Sequence, residues 1–300
     1  MSRPLSALQV IEVCYAGEHQ VPPEHWCLDA YGESAYPRAG VPLRIVRPTT
    51  AALIDDLSPD RALGEIGSAI ADQAAEGLRE GRGLLMTGGN CNHVTGVVGG
   101  LQDAYGAGAR IGLVWLDAHG DINTPQTSLS GSLGGMPVAT CAGLGSPEWR
   151  VRSHIAAPLP IERIVLGDVR NLDVPEAALV RALGVPVARL QPSGDGEPFE
   201  TAIARLNQQV DMIYLHIDAD VLDIAYQPNH CTGEPDGPEM QQVLAAIKTT
   251  MATGKVIAYA VVSVFTEGEG ADVSIASGCE LIGEGLALWR RYGLAEVERP

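Results

Sequence analysis

Short apolar runs recur along the chain at 8–14, 83–86, 111–116, 164–166, 185–189, 212–217 and 256–265. They are rich in Val and Ile and lack the strict alternation of a half-exposed strand, so they read as strands covered on both faces. Between them lie segments with helical spacing of apolar positions, at 60–80, 95–105, 175–183, 199–209, 238–253 and 274–289. Pro175 and Pro238 suit first-turn positions, where the missing N–H costs nothing. Strand alternating with helix implies right-handed crossovers, and hence a mostly parallel sheet with helices on both faces. A closed barrel of eight such units is the rival architecture. No internal repeat or long linker interrupts the pattern, so a single domain over residues 1–300 is expected.

Either architecture binds ligands beyond the carboxyl ends of its strands, and two of the apolar runs end in acidic motifs. Val114-Trp115-Leu116 leads into Asp117-Ala118-His119-Gly120-Asp121, and Leu215-His216-Ile217 leads into Asp218-Ala219-Asp220. In extended chain, residues at i, i+2 and i+4 share a side, so Asp117, His119 and Asp121 converge, as do Asp218 and Asp220. One such motif alone is more often a solvated loop than a metal site. Two of them at strand ends imply a cation, because buried carboxylates repel one another and lose hydration unless compensated. Oxygen-rich ligation with one imidazole suits Mn²⁺, Mg²⁺ or Zn²⁺, and four carboxylates suggest more than one ion.

Charge and cysteine content narrow the partners. A net charge of -17 argues against nucleic acid and anionic membranes as partners. No apolar stretch reaches the roughly 18 residues of a membrane span, and no basic-then-apolar leader opens the sequence. The six cysteines are scattered, without a Cys-x-x-Cys pair, which fits reduced thiols and a cytoplasmic setting.

The run 117–125 (Asp-Ala-His-Gly-Asp-Ile-Asn-Thr-Pro) with 127–131 (Thr-Ser-Leu-Ser-Gly) resembles the arginase/agmatinase ureohydrolases. The run 217–223 resembles their second metal motif, and Gly88-Gly89-Asn90-Cys91-Asn92 stands at their Gly-Gly-Asp-His-Ser turn. The resemblance implies a three-layer α/β/α fold with a sheet of about eight strands, and a centre of two Mn²⁺ ions that hydrolyses a guanidino or amidino carbon. One metal would take Cys91, Asp117, Asp121 and Asp218; the other would take His119, Asp117, Asp218 and Asp220. Asp121 would relay a proton to the leaving amine. Asn123, Ser128 and Ser130 match positions that contact an α-carboxylate, and Asp173 and Glu176 those that hold an α-amino group. Thr232 and Glu267 fall near the positions facing the guanidinium, Glu267 as a catalytic candidate. The family also implies a homo-oligomer, a trimer or hexamer, acting on a small guanidino or amidino molecule.

Two positions depart from the family pattern. Cys91 replaces the usual histidine ligand, with His93 the alternative donor two residues on. Gly134 replaces a histidine that serves proton transfer, in the run Ser132-Leu133-Gly134-Gly135. This pair is similar to the Nω-hydroxy-L-arginine hydrolase branch, whose substrate is less basic than arginine. Agmatine, guanidinobutyrate and formiminoglutamate are rival substrates, and a catalytically silent metal-binding relative is the rival function. His216, two residues from Asp218, is expected either beside the metal or as a satisfied core residue. His19, His25 and His230 are expected at the pocket rim. The segment 15–40, with Trp26, Tyr31 and Tyr36, is either a cover for the substrate or a surface connection.

Overall fold

The computed structural model describes residues 2–50 and 54–297. Nine parallel strands form the central sheet. From one edge to the other they are Glu197–Pro198, Val187–Arg189, Ile164–Gly167, Ile111–Leu116, Met212–Asp218, Val256–Val262, Gly83–Gly88, Leu8–Val13 and Leu43–Val46. The five longest of these are buried along their whole length. Such strands need helices on both faces. The helices Pro59–Arg79, Val94–Tyr105 and Pro147–Arg152 pack together, and Phe199–Gln209, Met240–Met251 and Ala271–Tyr292 pack as a second set. The result is the three-layer α/β/α arrangement.

An open sheet replaces the rival barrel, since Leu43–Val46 and Glu197–Pro198 each pair on one side only. The nine strands exceed the expected eight because both edges hide in the sequence. Leu43–Val46 is short and half-exposed, and Glu197–Pro198 is two residues long. Pro238 precedes its helix rather than opening it: Glu239 is the cap, exchanging hydrogen bonds with Gln242, and the helix starts at Met240. Pro175 sits in the first turn of Val174–Leu183, as expected.

The order of strands places the site. From Gly83–Gly88 the chain skips two positions to lay down Ile111–Leu116, continues outward to the far edge, and then returns. Met212–Asp218 and Val256–Val262 fill the gap. The direction of winding therefore reverses between Ile111–Leu116 and Met212–Asp218, and a crevice opens beyond the carboxyl ends of strands at such a reversal. Both acidic motifs leave these two strands, in register: Leu116 pairs with Ile217. Asp218 pairs with Val262 on the other side, which brings Ser263 to the same crevice.

Candidate metal centre

Each side chain reaches the crevice through a local device. Gly88 and Gly89 both have positive φ (68° and 65°), turning the chain out of its strand so that Cys91 points back over the sheet. A Cβ on Gly89 would lie 2.5 Å from His93 Nδ1, so only glycine fits. Asp121 has φ 49°, a left-handed conformation that Asp tolerates better than most residues, and Ser263 has φ 62°. Gly120 lets Glu176 approach, since a Cβ there would lie 2.9 Å from its Oε1.

Three carboxylates, Asp117, Asp218 and Asp220, form a buried triangle, each with one further donor over an adjacent pair. Cys91 Sγ lies 2.9 Å from Asp218 Oδ2 and 3.5 Å from Asp117 Oδ2. His119 Nδ1 lies 3.3 Å from Asp117 Oδ1 and 3.1 Å from Asp220 Oδ2. His230 Nε2 lies 3.3 Å from Asp218 Oδ1, and its Nδ1 lies 3.7 Å from Asp220 Oδ2. Backbone N–H groups steady the triangle: Asp117 Oδ1 accepts from His119, Asp218 Oδ1 from Asp220, and Asp220 Oδ1 from Ala118. Ser263 donates to Asp218 Oδ2 at 2.6 Å, and Thr232 to Asp220 Oδ2 at 2.9 Å.

The electrostatics show a cluster that needs a cation. Burial, then the charge of Asp220, pushes the Asp117 carboxyl well above its usual range; burial, then Asp117, does the same to Asp121. The Cys91 thiol is raised by burial and by Asp218 and Asp117. His119 moves the opposite way to what burial demands: hydrogen bonds to Asp117 and Asp220 push it up to about 12. Asp220 is held low, against burial, by the same His119 and by His230. Protons on carboxyls and imidazoles thus do the neutralising that a metal ion does when it binds. The donor set fits a divalent cation: carboxylate oxygens, imidazole nitrogen and one sulfur, with the members of each group within 4.8 Å of one another.

A cavity of about 430 Å³ opens over the cluster. Cys91, Asp117, His119, Asp121, Asn123, Ser128, Ser130, Asp173, Glu176, Asp218, Asp220 and Thr232 all line it. Glu176 accepts the Ile122 N–H at 3.1 Å, and burial raises its pKa. Asp173 caps the helix Val174–Leu183 without a side-chain capping bond, so its carboxylate is free for the cavity.

Glu267 does not join them. It is exposed beyond the cavity, in a loop tied by the Asn229 amide to the carbonyls of Phe265 and Glu267. The strand ends at Val262, and after the left-handed turn at Ser263 it is Ser263 and Phe265 that face inward. The wall at this point is therefore aromatic rather than acidic. His93 is also excluded as a donor: it is buried, its Nδ1 accepts from the Asn90 N–H at 3.1 Å and its Nε2 faces the Gly17 carbonyl at 3.1 Å. Burial lowers its pKa to about 4.

His216 combines both of its expected roles. It stacks on Trp115 (centroids 4.3 Å apart, planes at 3°), bonds Tyr214 through Nδ1, and turns Nε2 to within 3.6 Å of Cys91 Sγ. The segment 15–40 does not cover the cavity. Trp26, Tyr31 and Tyr36 are buried in the core, Trp26 packing against Phe265 from behind and Tyr36 bonding Glu12 and Thr87. His25 also meets Phe265 from that side, and His19 is exposed.

His230, expected at the pocket rim, lines the cavity and reaches deeper, onto the carboxylates, whereas Ser263, Phe265 and Arg170 were not marked by the motifs. Arg170 lines nothing but clamps the loops: its guanidinium donates to the carbonyls of Asp220, Val221, Leu222, Glu234 and Pro235 and pairs with buried Asp168. Glu234, so held, takes His119 Nε2 at 3.2 Å and the Asn171 amide at 2.7 Å. Spacing rules do not reach them, because the loop 223–238 that Arg170 clamps is irregular and Ser263 and Phe265 follow the left-handed turn past Val262.

Comparison with known proteins agrees with the fold. The arginase of Neurospora crassa is 29% identical over 238 residues, which span 74% of this chain and 65% of that protein, just under two thirds of its length. The crystal structure of Entamoeba histolytica arginase in complex with L-ornithine superposes with a TM-score of 0.80 at 20% identity, covering 94% of this chain and 99% of that one. The formimidoylglutamase of Bacillus subtilis has the same fold, with a TM-score of 0.73 at 13% identity over 96% of this chain and 88% of its own. The model of the arginase family matches residues 16–287, which include every residue of the cluster, and the chain belongs to that family.

Proposed function

We propose that the protein is a hydrolase of a guanidine-type C–N bond in an arginine-like amino acid, working with two Mn²⁺ ions held by Cys91, Asp117, His119, Asp121, Asp218 and Asp220. The observation that carries this reading is the convergence of these six side chains in one cavity at the reversal point of the sheet. When bound, the ions would supply Lewis acidity and make hydroxide available near neutral pH. The residues of the chain then divide the remaining work. Asp121, buried at the cavity floor, takes the proton of the attacking water on its carboxylate and hands it to the leaving nitrogen. Glu176 and Asp173 offer carboxylates for an α-amino group, and Asn123, Ser128 and Ser130 offer donors for an α-carboxylate on the same cavity wall. Thr232, fixed on Asp220, faces the reacting group.

Within this family reading, two features favour an N-hydroxyguanidine over a guanidinium. Gly134 lines the cavity with no side chain to protonate the leaving nitrogen, and the wall beyond Ser263 carries the Phe265 ring while Glu267 stays outside. A less basic substrate tolerates both. The products would then be hydroxyurea and an amine. The six cysteines, all free, support a reducing cytoplasmic setting, and the family reading carries a homo-oligomer, which sedimentation analysis tests. The functional test is turnover of Mn²⁺-loaded protein on Nω-hydroxyarginine, arginine, agmatine, guanidinobutyrate and formiminoglutamate. Preference for Nω-hydroxyarginine is expected. Preference for arginine would sink the N-hydroxyguanidine reading. Preference for formiminoglutamate, the reaction named for the Bacillus subtilis neighbour, would move the substrate to a formimino amino acid.

A further inference from the structure

His230 lies in the loop 223–238, outside both acidic motifs, yet its side chain is only 3% exposed and sits on the carboxylate triangle. Its Nε2 is buried without a hydrogen-bond partner. That nitrogen is 3.3 Å from Asp218 Oδ1 but lacks the direction of a hydrogen bond to it. A buried imidazole nitrogen left in this way costs free energy unless something else satisfies it. The triangle supplies the reason. Cys91 covers the Asp117/Asp218 pair, His119 covers Asp117/Asp220, and His230 covers the third, Asp218/Asp220. Each of the three sets is compact enough to share one ion.

We infer that His230 is a direct ligand, through Nε2, of the divalent ion that His119 also binds, so that this ion carries two imidazoles. The inference rests on the metal-centre reading above. Ligation through Nε2 places the ring proton on Nδ1, where Thr232 Oγ1 lies 3.0 Å away and itself donates a hydrogen bond to Asp220 Oδ2 at 2.9 Å. A metal-bound histidine whose other nitrogen is fixed by an oxygen that itself reaches a ligand carboxylate is a common supporting arrangement. The Thr232 backbone N–H, however, donates to Nδ1 at 3.2 Å and competes for that nitrogen. If it wins, the proton sits on Nε2 and His230 becomes a hydrogen-bond donor to Asp218, the alternative that the experiment separates. The loop is held for either role by Arg170, which grips Glu234 and Pro235 on one side of the loop and Asp220 to Leu222 on the other. Phe265 packs on the His230 ring at 5.4 Å and fixes its tilt.

The test is Mn²⁺ binding by the full chain, read as ions per chain after gel filtration, affinity by titration, and imidazole nitrogen couplings by pulsed EPR. It compares wild type with His230→Ala, His230→Gln and His119→Ala. The expected result is two classes of imidazole coupling in wild type and one in His230→Ala and in His119→Ala, with affinity for one ion weakened tenfold or more. His230→Gln, which keeps the loop filled and offers an amide oxygen, loses the nitrogen coupling while retaining more of the affinity, and it stands in should the alanine variant fail to fold. Wild-type couplings and affinity within twofold in both His230 variants overturn the inference and leave the metal centre standing. A wild-type chain that binds no Mn²⁺ overturns the centre and the inference together.

Discussion

Replacing Asp121 by Asn tests whether the cluster is a frustrated site that only a cation relieves. The side chain is buried beside the charge of Asp117, and among the described residues no hydrogen bond rewards its charge. Its backbone has φ 49°, which Asn accepts as readily as Asp, so the substitution removes a charge with no backbone penalty. In the metal-free protein the folded-state pKa is raised above the ordinary value of 3.8, so the folded state binds the proton more tightly than the unfolded one. By linkage the carboxyl then costs nothing below pH 3.8 and costs progressively more as pH rises above it. The interval up to pH 7 caps that cost at about 4 kcal/mol, and the interval up to pH 5 caps it at about 1.6 kcal/mol. With chelator present, Asp121→Asn should therefore be more stable than wild type at pH 7 by about 1–3 kcal/mol. At roughly 1.5 °C per kcal/mol for 300 residues, that is a rise of about 2–5 °C. The gain should shrink at pH 5. Saturating Mn²⁺ should reverse the order, because an ion held at 100 times its Kd adds about 2.7 kcal/mol and the variant lacks one of the proposed ligands. Thermal unfolding at the two pH values, with chelator and with Mn²⁺, reads all four numbers. A variant less stable than wild type in chelator at pH 7 would refute the reasoning, since the carboxylate would then be making a favourable contact.

Two further outcomes follow from the same geometry. Affinity for Mn²⁺ should rise with pH between 6 and 8, by up to tenfold per unit for each proton released from Asp117, Asp121, Cys91 or His119, all of which are raised in the metal-free protein; a calorimetric titration showing a flat profile and no proton release counts against a cluster neutralised by protons. Arg170→Lys should weaken Mn²⁺ binding about tenfold although Arg170 touches no ion, because an ammonium cannot span the carbonyls of Asp220, Leu222 and Glu234 that the guanidinium fork holds; unchanged affinity by titration would show that the loop 223–238 holds itself.

What the sequence made legible was the pair of strands that deliver the acidic motifs. Their apolar runs are unmistakable, but past Leu116 the chain bends and Asp121 turns left-handed, while Asp220 sits in the 3-10 turn 219–221, so the carboxylates meet through turns rather than through the period-two pattern that pointed to them. The crevice followed from the alternation of strand and helix. Edge strands escaped because Leu43–Val46 is half-exposed and Glu197–Pro198 is too short to leave a pattern. Glu267 went astray for a related reason: the run 256–265 reads as one apolar strand, yet the sheet pairing stops at Val262 and Ser263 turns left-handed, so the register beyond it cannot be counted in twos.

His230 marks the deeper limit. Its neighbours in the sequence, Asn229 and Cys231, give no periodicity, and a lone histidine among Pro, Asn and Gly is ordinary loop composition. What makes it part of the site is non-local, since Arg170, fifty and more residues from the carbonyls it grips in sequence, draws the loop over the cavity. The same argument applies to the functional departures. Gly134 was visible in the sequence as a missing histidine, but the meaning of that loss depends on what stands around the vacated direction. The structure puts an aromatic ring at Phe265 on the cavity wall and an imidazole at His230 on the carboxylates, neither of which a motif at 132–135 could reveal. With no side chain at Gly134 and an imidazole at His230, the imidazoles of the cavity stand on its carboxylates. That arrangement suits a substrate less basic than a guanidinium, whose hydroxyl-bearing nitrogen stays with the carbon in hydroxyurea while the amine departs, which is the physical link between the loop chemistry and the proposed substrate.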